Sequence, residues 1–73
     1  MATVTPETGT KDEHYNLVSV LYHALQGGET CALYLRDAEQ SGDQELVQFF
    51  REVQTQYRQV ATRGKQLLKQ KLR

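Results

Sequence analysis

The side chains of this chain that could do chemistry are few and scattered. Glu29 and Glu52 could ligate a metal ion or move a proton, Tyr57 offers a phenol, Cys31 a thiol, and His14 and His23 the two imidazoles. A metal or acid–base centre needs several such groups converging on one point. On a helix rising ~1.5 Å per residue, His14 lies over roughly 20 Å from Glu29, and His23 falls on the polar back of the same segment. Cys31 is the single cysteine, on the apolar side, with no second thiol or neighbouring imidazole to activate it, and it reads as core. No catalytic, cofactor-binding or metal residue is therefore assigned.

Charge offers a second kind of chemistry. The formal net charge is zero, yet all nine acidic residues lie at or before Glu52, whereas Arg58, Arg63, Lys65, Lys69, Lys71 and Arg73 follow it unopposed. Arg51, Arg58, Lys65 and Lys69 fall near one edge of a helix and could meet phosphates. Nucleic-acid binding is nevertheless not expected, because no recognition helix and no aromatic or glycine-rich element accompanies them. Cations suit the negative end of a helix macrodipole, and a hairpin sets that end beside Asp12 and Glu13.

Two long helices must position all of these groups. Between two runs of helix-forming residues stands Ser41-Gly42-Asp43. Gly42 suits the left-handed residue that ends a helix, and Asp43 caps the next one, with Glu45 adding negative charge in its first turn. The pattern predicts an all-α fold, an antiparallel two-helix hairpin. Helix 1 is expected from Thr10, where Thr10-Lys11-Asp12-Glu13 has the capping-box pattern, to Glu39 or Gln40, and helix 2 from Gln44 to Leu72. Met1 to Gly9 are small and polar without periodicity, so residues 1–9 are expected to be a disordered tail and residues 10–73 the one domain.

On a wheel of about 100° per residue, Leu17, Leu21, Ala24, Leu25, Gly28, Cys31, Ala32, Leu35 and Ala38 lie along one side of helix 1. Tyr15, Val18, Tyr22 and Leu33 widen this stripe to an arc of roughly 220°. One partner helix covers only part of such an arc, so its outer part is expected to carry self-association. The apolar phase continues across Gly27-Gly28, which predicts an unbroken helix there. In helix 2, Leu46, Phe50, Val53, Tyr57, Val60, Gly64 and Leu67 recur at alternating four- and three-residue steps, the pattern of a bundle seam, with Val47, Ala61, Leu68 and Leu72 broadening it on one side and Phe49 on the other. Folding about Gly42 and Asp43 sets Gly28 beside Tyr57, Leu25 beside Val60 and Leu21 beside Gly64, large against small.

A chain of 73 residues buries little by itself, and a lone cysteine excludes an intramolecular disulfide. A homo-oligomer is expected, most simply a dimer whose two hairpins make a four-helix bundle. No apolar run approaches the roughly 20 residues of a membrane span, and MATVTPETGTKDEH lacks the regions of a signal peptide. A cytoplasmic protein without membrane association is expected.

Gly28-Glu29-Thr30 in mid-helix, Tyr34, Arg36-Asp37-Ala38-Glu39, the Gly42-Asp43 turn and the run from Glu45 to Val53 together resemble a rubrerythrin-type ferritin-like helix pair. The likeness covers about residues 14 to 70 and is similar to the half-bundles of two-helix encapsulated ferritins. In such families two iron or manganese ions are held by a Glu from one helix and a Glu-x-x-His from the next. The resemblance matches Glu29 to the first ligand, and it sets Tyr57 and Val60 where the second motif has its Glu and His. Valine cannot ligate, and a neutral phenol is a weak ligand. Glu29, Tyr57 and Val60 are therefore expected to mark a vestigial site without cofactor, in a non-enzymatic, self-associating module. The alternative is a di-iron or manganese ferroxidase or peroxide-handling protein, with an unorthodox dimer-interface site using Glu29, Tyr57 and Glu52. Without metal, a carboxylate at the inner flank of helix 1 needs another partner, and a hydrogen bond from the Tyr57 hydroxyl to Glu29 is expected to supply it.

Overall fold

The computed structural model describes residues 12–72. They form two helices, α1 (Glu13–Ser41) and α2 (Gln44–Lys71), packed against each other as a hairpin. The start of α1 is set by Asp12, whose backbone is extended (φ −130°, ψ 92°) and whose Oδ1 accepts a hydrogen bond from the Tyr15 amide at 2.9 Å. The cap thus stands two residues beyond the expected Thr10, because an aspartate three residues before a free amide makes the same bond. Glu13 becomes the acidic residue of the first turn and not the far member of a capping box. Thr10 and the tail expected over residues 1–9 lie outside the described residues.

The turn follows from its own chemistry. Gly42 takes φ 76° and ψ 20°; its amide donates to the Glu39 carbonyl at 3.2 Å, and that of Asp43 donates to Ala38 at 3.1 Å. This pair of bonds closes α1 one or two residues later than expected, at Ser41. The Asp43 carboxylate then accepts from the Leu46 amide at 3.1 Å and opens α2. Gly42→Ala forces a Cβ into the left-handed region and is expected to lower stability by about 1–2 kcal/mol, read as a lower urea midpoint at unchanged slope.

Packing uses the expected line on α1 except at Leu25, which was expected beside Val60; both stand exposed, because Leu25 lies about 100° round α1 from Ala24, beyond the contact with α2. Leu21, Ala24, Cys31 and Ala38 are buried, with Leu17, Gly28 and Leu35 half-buried between them, and the helix runs unbroken through Gly27-Gly28. On α2 the contact band keeps Phe50, Val53, Gly64 and Leu67 of the expected seam and shifts towards the side that Val47, Ala61 and Leu68 were expected to broaden. Val47, Ala61 and Gly64 are buried and Phe50, Gln54 and Leu68 half-buried, while Leu46, Tyr57 and Val60, all expected in the seam, stand exposed. Small side chains explain the choice. Ala61 and Gly64 let the two axes approach, so that Leu21 comes within 3.5 Å of where a Gly64 Cβ would sit, as the expected register requires. Gln54 sits in this line and is satisfied there, its Nε2 donating to the Gly28 carbonyl at 3.2 Å. The core is thin: among the described residues no side chain falls below 2% exposure. No helix among them is long and apolar enough to cross a membrane.

Candidate functional site

The rotation of α2 decides what the hairpin shows to its surroundings. Val20, Gly27 and Tyr34 are spaced by seven, so they share one line on α1. Together with Tyr57 and Val60 of α2, and with His23, Gln26 and Thr30 at its polar rim, they wall an open groove along one flank. Leu46, Val53 and Val60 repeat at the same interval and extend this flank along α2. Near the turn it ends in an aromatic group: the Tyr34 and Phe50 centroids lie 5.8 Å apart, and those of Phe50 and Phe49 5.7 Å.

Gly27 forms the floor of the groove. A Cβ there would meet the Tyr57 ring at 2.7 Å, so the ring lies against the α1 backbone only because this position has no side chain. At Gly28 the nearest approach is to the Tyr57 Cβ, at an ordinary 3.9 Å. The side chains of this flank remain in contact with water: Tyr34 is 49% exposed, Phe49 55%, Tyr57 37% and Val60 45%. Exposed singly, such residues are unremarkable, but here they are contiguous and the row contains no carboxylate, ammonium or guanidinium.

The opposite flank differs. Val18, Leu25 and Leu33 are exposed there as the outer arc of α1, but Glu29 and Arg36 interrupt them. Arg51 reaches Glu39 at 3.4 Å; both side chains are half or more exposed, so the pair contributes little.

The three residues of the expected vestigial site are split between these flanks. Tyr57 and Val60 wall the groove, whereas Glu29 is exposed. Glu29 follows Gly27 by two residues, about 200° round the helix, so it points away from the ring that Gly27 receives. The hydrogen bond expected from Tyr57 to Glu29 is therefore not formed; water solvates the carboxylate instead. Glu52 lies on the outer side of α2 beside Gln48 and Gln56. His23 is exposed but lines the groove near Val20 and Gly27, where the polar back was expected, its Nδ1 donating to the Ser19 carbonyl at 2.8 Å and its ring edge-on to Tyr22. Cys31 is buried between the helices. Among the described residues no group of three or more His, Cys, Asp or Glu side chains could share a metal ion. One exposed carboxylate facing away from a phenol and a valine does not fit a di-iron or di-manganese pair.

Val20 and Gln54 escaped the sequence reading, and Tyr34 entered it only through the motif resemblance. Val20 lies at the edge of the arc drawn for α1, at the wheel angle of Ala38, and Tyr34 about 40° beyond that edge; their spacing of seven from Gly27 could have found both. Gln54 has no apolar signal to place it in a seam. Comparison with protein-family models, curated proteins and solved structures returned no match.

Proposed function

We propose that this chain is a non-enzymatic assembly module, a ferritin-like hairpin that self-associates through its charge-free flank into a four-helix bundle. The observation that carries this reading is the contiguous row of exposed Tyr34, Phe49, Tyr57 and Val60 on a hairpin with a thin core. Apolar surface removed from water contributes about 25 cal/mol per Å², and a second copy offers an equally apolar surface to cover it. The motif resemblance adds a further reason. Tyr57 and Val60, which stand where the family's Glu and His would be, are the α2 residues that wall the groove, so the former ligand positions serve packing.

Two behaviours on heating test the reading. The melting temperature is expected to rise with protein concentration, because the associated state is favoured by mass action, and to stay unchanged on adding Fe(II) or Mn(II), which have no native site to occupy. A melting temperature independent of protein concentration contradicts self-association. Saturable stabilisation by metal, abolished in Glu29→Ala, places the protein with the ferroxidases instead.

A further inference from the structure

The flank opposite the groove carries a row that neither the core nor the proposed interface uses. Tyr15, Val18, Tyr22 and Leu25 follow one another at steps of three, four and three, so they stack on one face of α1 over about 15 Å. Each is between 43% and 65% exposed. Glu29 takes the next place in this pattern and ends the apolar row. Tyr22 and Leu25 follow the buried Leu21 and Ala24 by one residue, whereas Val20 and Gly27 of the groove come one residue before Leu21 and Gly28. The row and the groove therefore lie on opposite sides of the α1 contact line.

Three cations of α2 border this row. Arg51, Arg58 and Lys65 repeat every seven residues, and the bond from Arg51 to Glu39 places their line on this flank, while Val60 faces the other. Gly64 packs under Leu21 and Tyr57 against Gly27, so Lys65 and Arg58, their neighbours in the chain, stand level with the stretch from Val18 to Leu25. Lys69, one turn further, reaches the level of Tyr15. All three are exposed, and among the described residues none of them is paired with a carboxylate. Lys69 and Lys71 in the last turn suit the helix dipole, but that effect fades within a turn and does not account for Arg58 and Lys65. The other border of the row, at Ser19 and Gln26, has no charge.

We infer that this face docks an amphipathic helix of another protein, its apolar residues on the row from Tyr15 to Leu25 and an acidic edge along Arg58, Lys65 and Lys69. The inference is independent of the self-association reading, since it uses the other flank. Side chains spaced by three and four on α1 fit a partner that repeats at the same steps, which an α-helix of about three turns does over the length of this row. Charge then selects the kind of helix, because cations left in the rim are neutralised by carboxylates along one edge of the partner. A second copy presenting the same row brings three more cations and no carboxylate to meet them. An anionic bilayer is matched by an apolar face with cations on both borders, and here one border is neutral. A phosphate backbone would leave the apolar row uncovered.

The probe is a synthetic peptide of about 21 residues, three heptads with leucine at a and d and glutamate at e and g, whose like charges oppose its pairing with itself. The same peptide with lysine in place of glutamate is the control. Fluorescence anisotropy of the labelled peptides, titrated with the full chain, is expected to show saturable binding of the acidic one, about tenfold or more tighter than the lysine one. Leu25→Ser is expected to weaken that binding about tenfold. Arg58→Glu together with Lys65→Glu is expected to invert the preference, so that the lysine peptide binds the tighter, which loss of folding cannot produce. Equal binding of the two peptides, or no saturation by the acidic one below about 1 mM, overturns the assignment. Binding to phosphatidylserine vesicles that Leu25→Ser abolishes, with neither peptide bound, overturns it in favour of a membrane. A particle mass that falls to one chain in Leu25→Ser overturns it in favour of a second copy.

Discussion

Val60→Asp is expected to turn the associated protein into single chains at micromolar concentration, weakening association at least 100-fold. The argument separates two environments of one residue. Within its own hairpin Val60 is 45% exposed and lies outside the line that packs on α1, so an aspartate there remains solvated and perturbs the hairpin little. In the associated state the same carboxylate is taken out of water among apolar side chains without a partner, at a cost of several kcal/mol. Three of these correspond to more than a hundredfold in affinity. Gln59→Asp, one residue away and outside the groove, serves as the control and is expected to leave the mass of the particle unchanged. A Val60→Asp protein sedimenting like the unmodified one would show that this flank is not the interface.

The second large effect is on stability. Leu21→Ala is expected to lower the free energy of unfolding by about 2–3 kcal/mol, near the low end for a buried leucine because the core is thin. Leu21 is 8% exposed and belongs to the cluster with Ala24 and Ala61, against which Leu68 packs. Its side chain also fills the space above Gly64. Alanine and glycine neighbours have no atoms with which to refill the void. Urea unfolding at fixed protein concentration measures the loss, since concentration alone shifts the stability of an associating protein. A loss below about 0.5 kcal/mol, the size typical of surface substitutions, would remove Leu21 from the core.

Much of the fold was legible because it rests on local chemistry. Gly42 and Asp43 act within four residues of themselves, and a left-handed glycine followed by a capping aspartate reads directly from the chain. The α1 seam was legible too, since its small and large residues keep one phase from Leu17 to Ala38. The face of α2 was legible only in its width, since Val47, Ala61 and Leu68 were expected at its side and not at its centre. Two lines with the same seven-residue repeat run side by side there, one through Leu46, Val53, Val60 and Leu67, the other through Val47, Gln54, Ala61 and Leu68. Hydrophobicity ranks the first above the second, but the approach of two backbones favours the line with smaller residues, and a glutamine that bonds across the seam is invisible to an apolar pattern. The position of Tyr57 suffered likewise. Its level along the hairpin followed from the register, whereas the direction of its ring depended on which of two adjacent glycines it covers, a difference of about 100° about α1. That one residue moved the aromatic away from Glu29 and gave the flank its groove. At the start of α1, two residues able to cap stand two positions apart, and only the backbone path chooses Asp12 over Thr10.

The central claim is that two or more copies share the charge-free flank, and sedimentation equilibrium of the full chain at micromolar concentration measures it most directly. The expected mass is twice that of the 8.4 kDa chain or a larger multiple, falling to one chain in Val60→Asp. A mass of 8.4 kDa for the unmodified protein across that range would contradict the account.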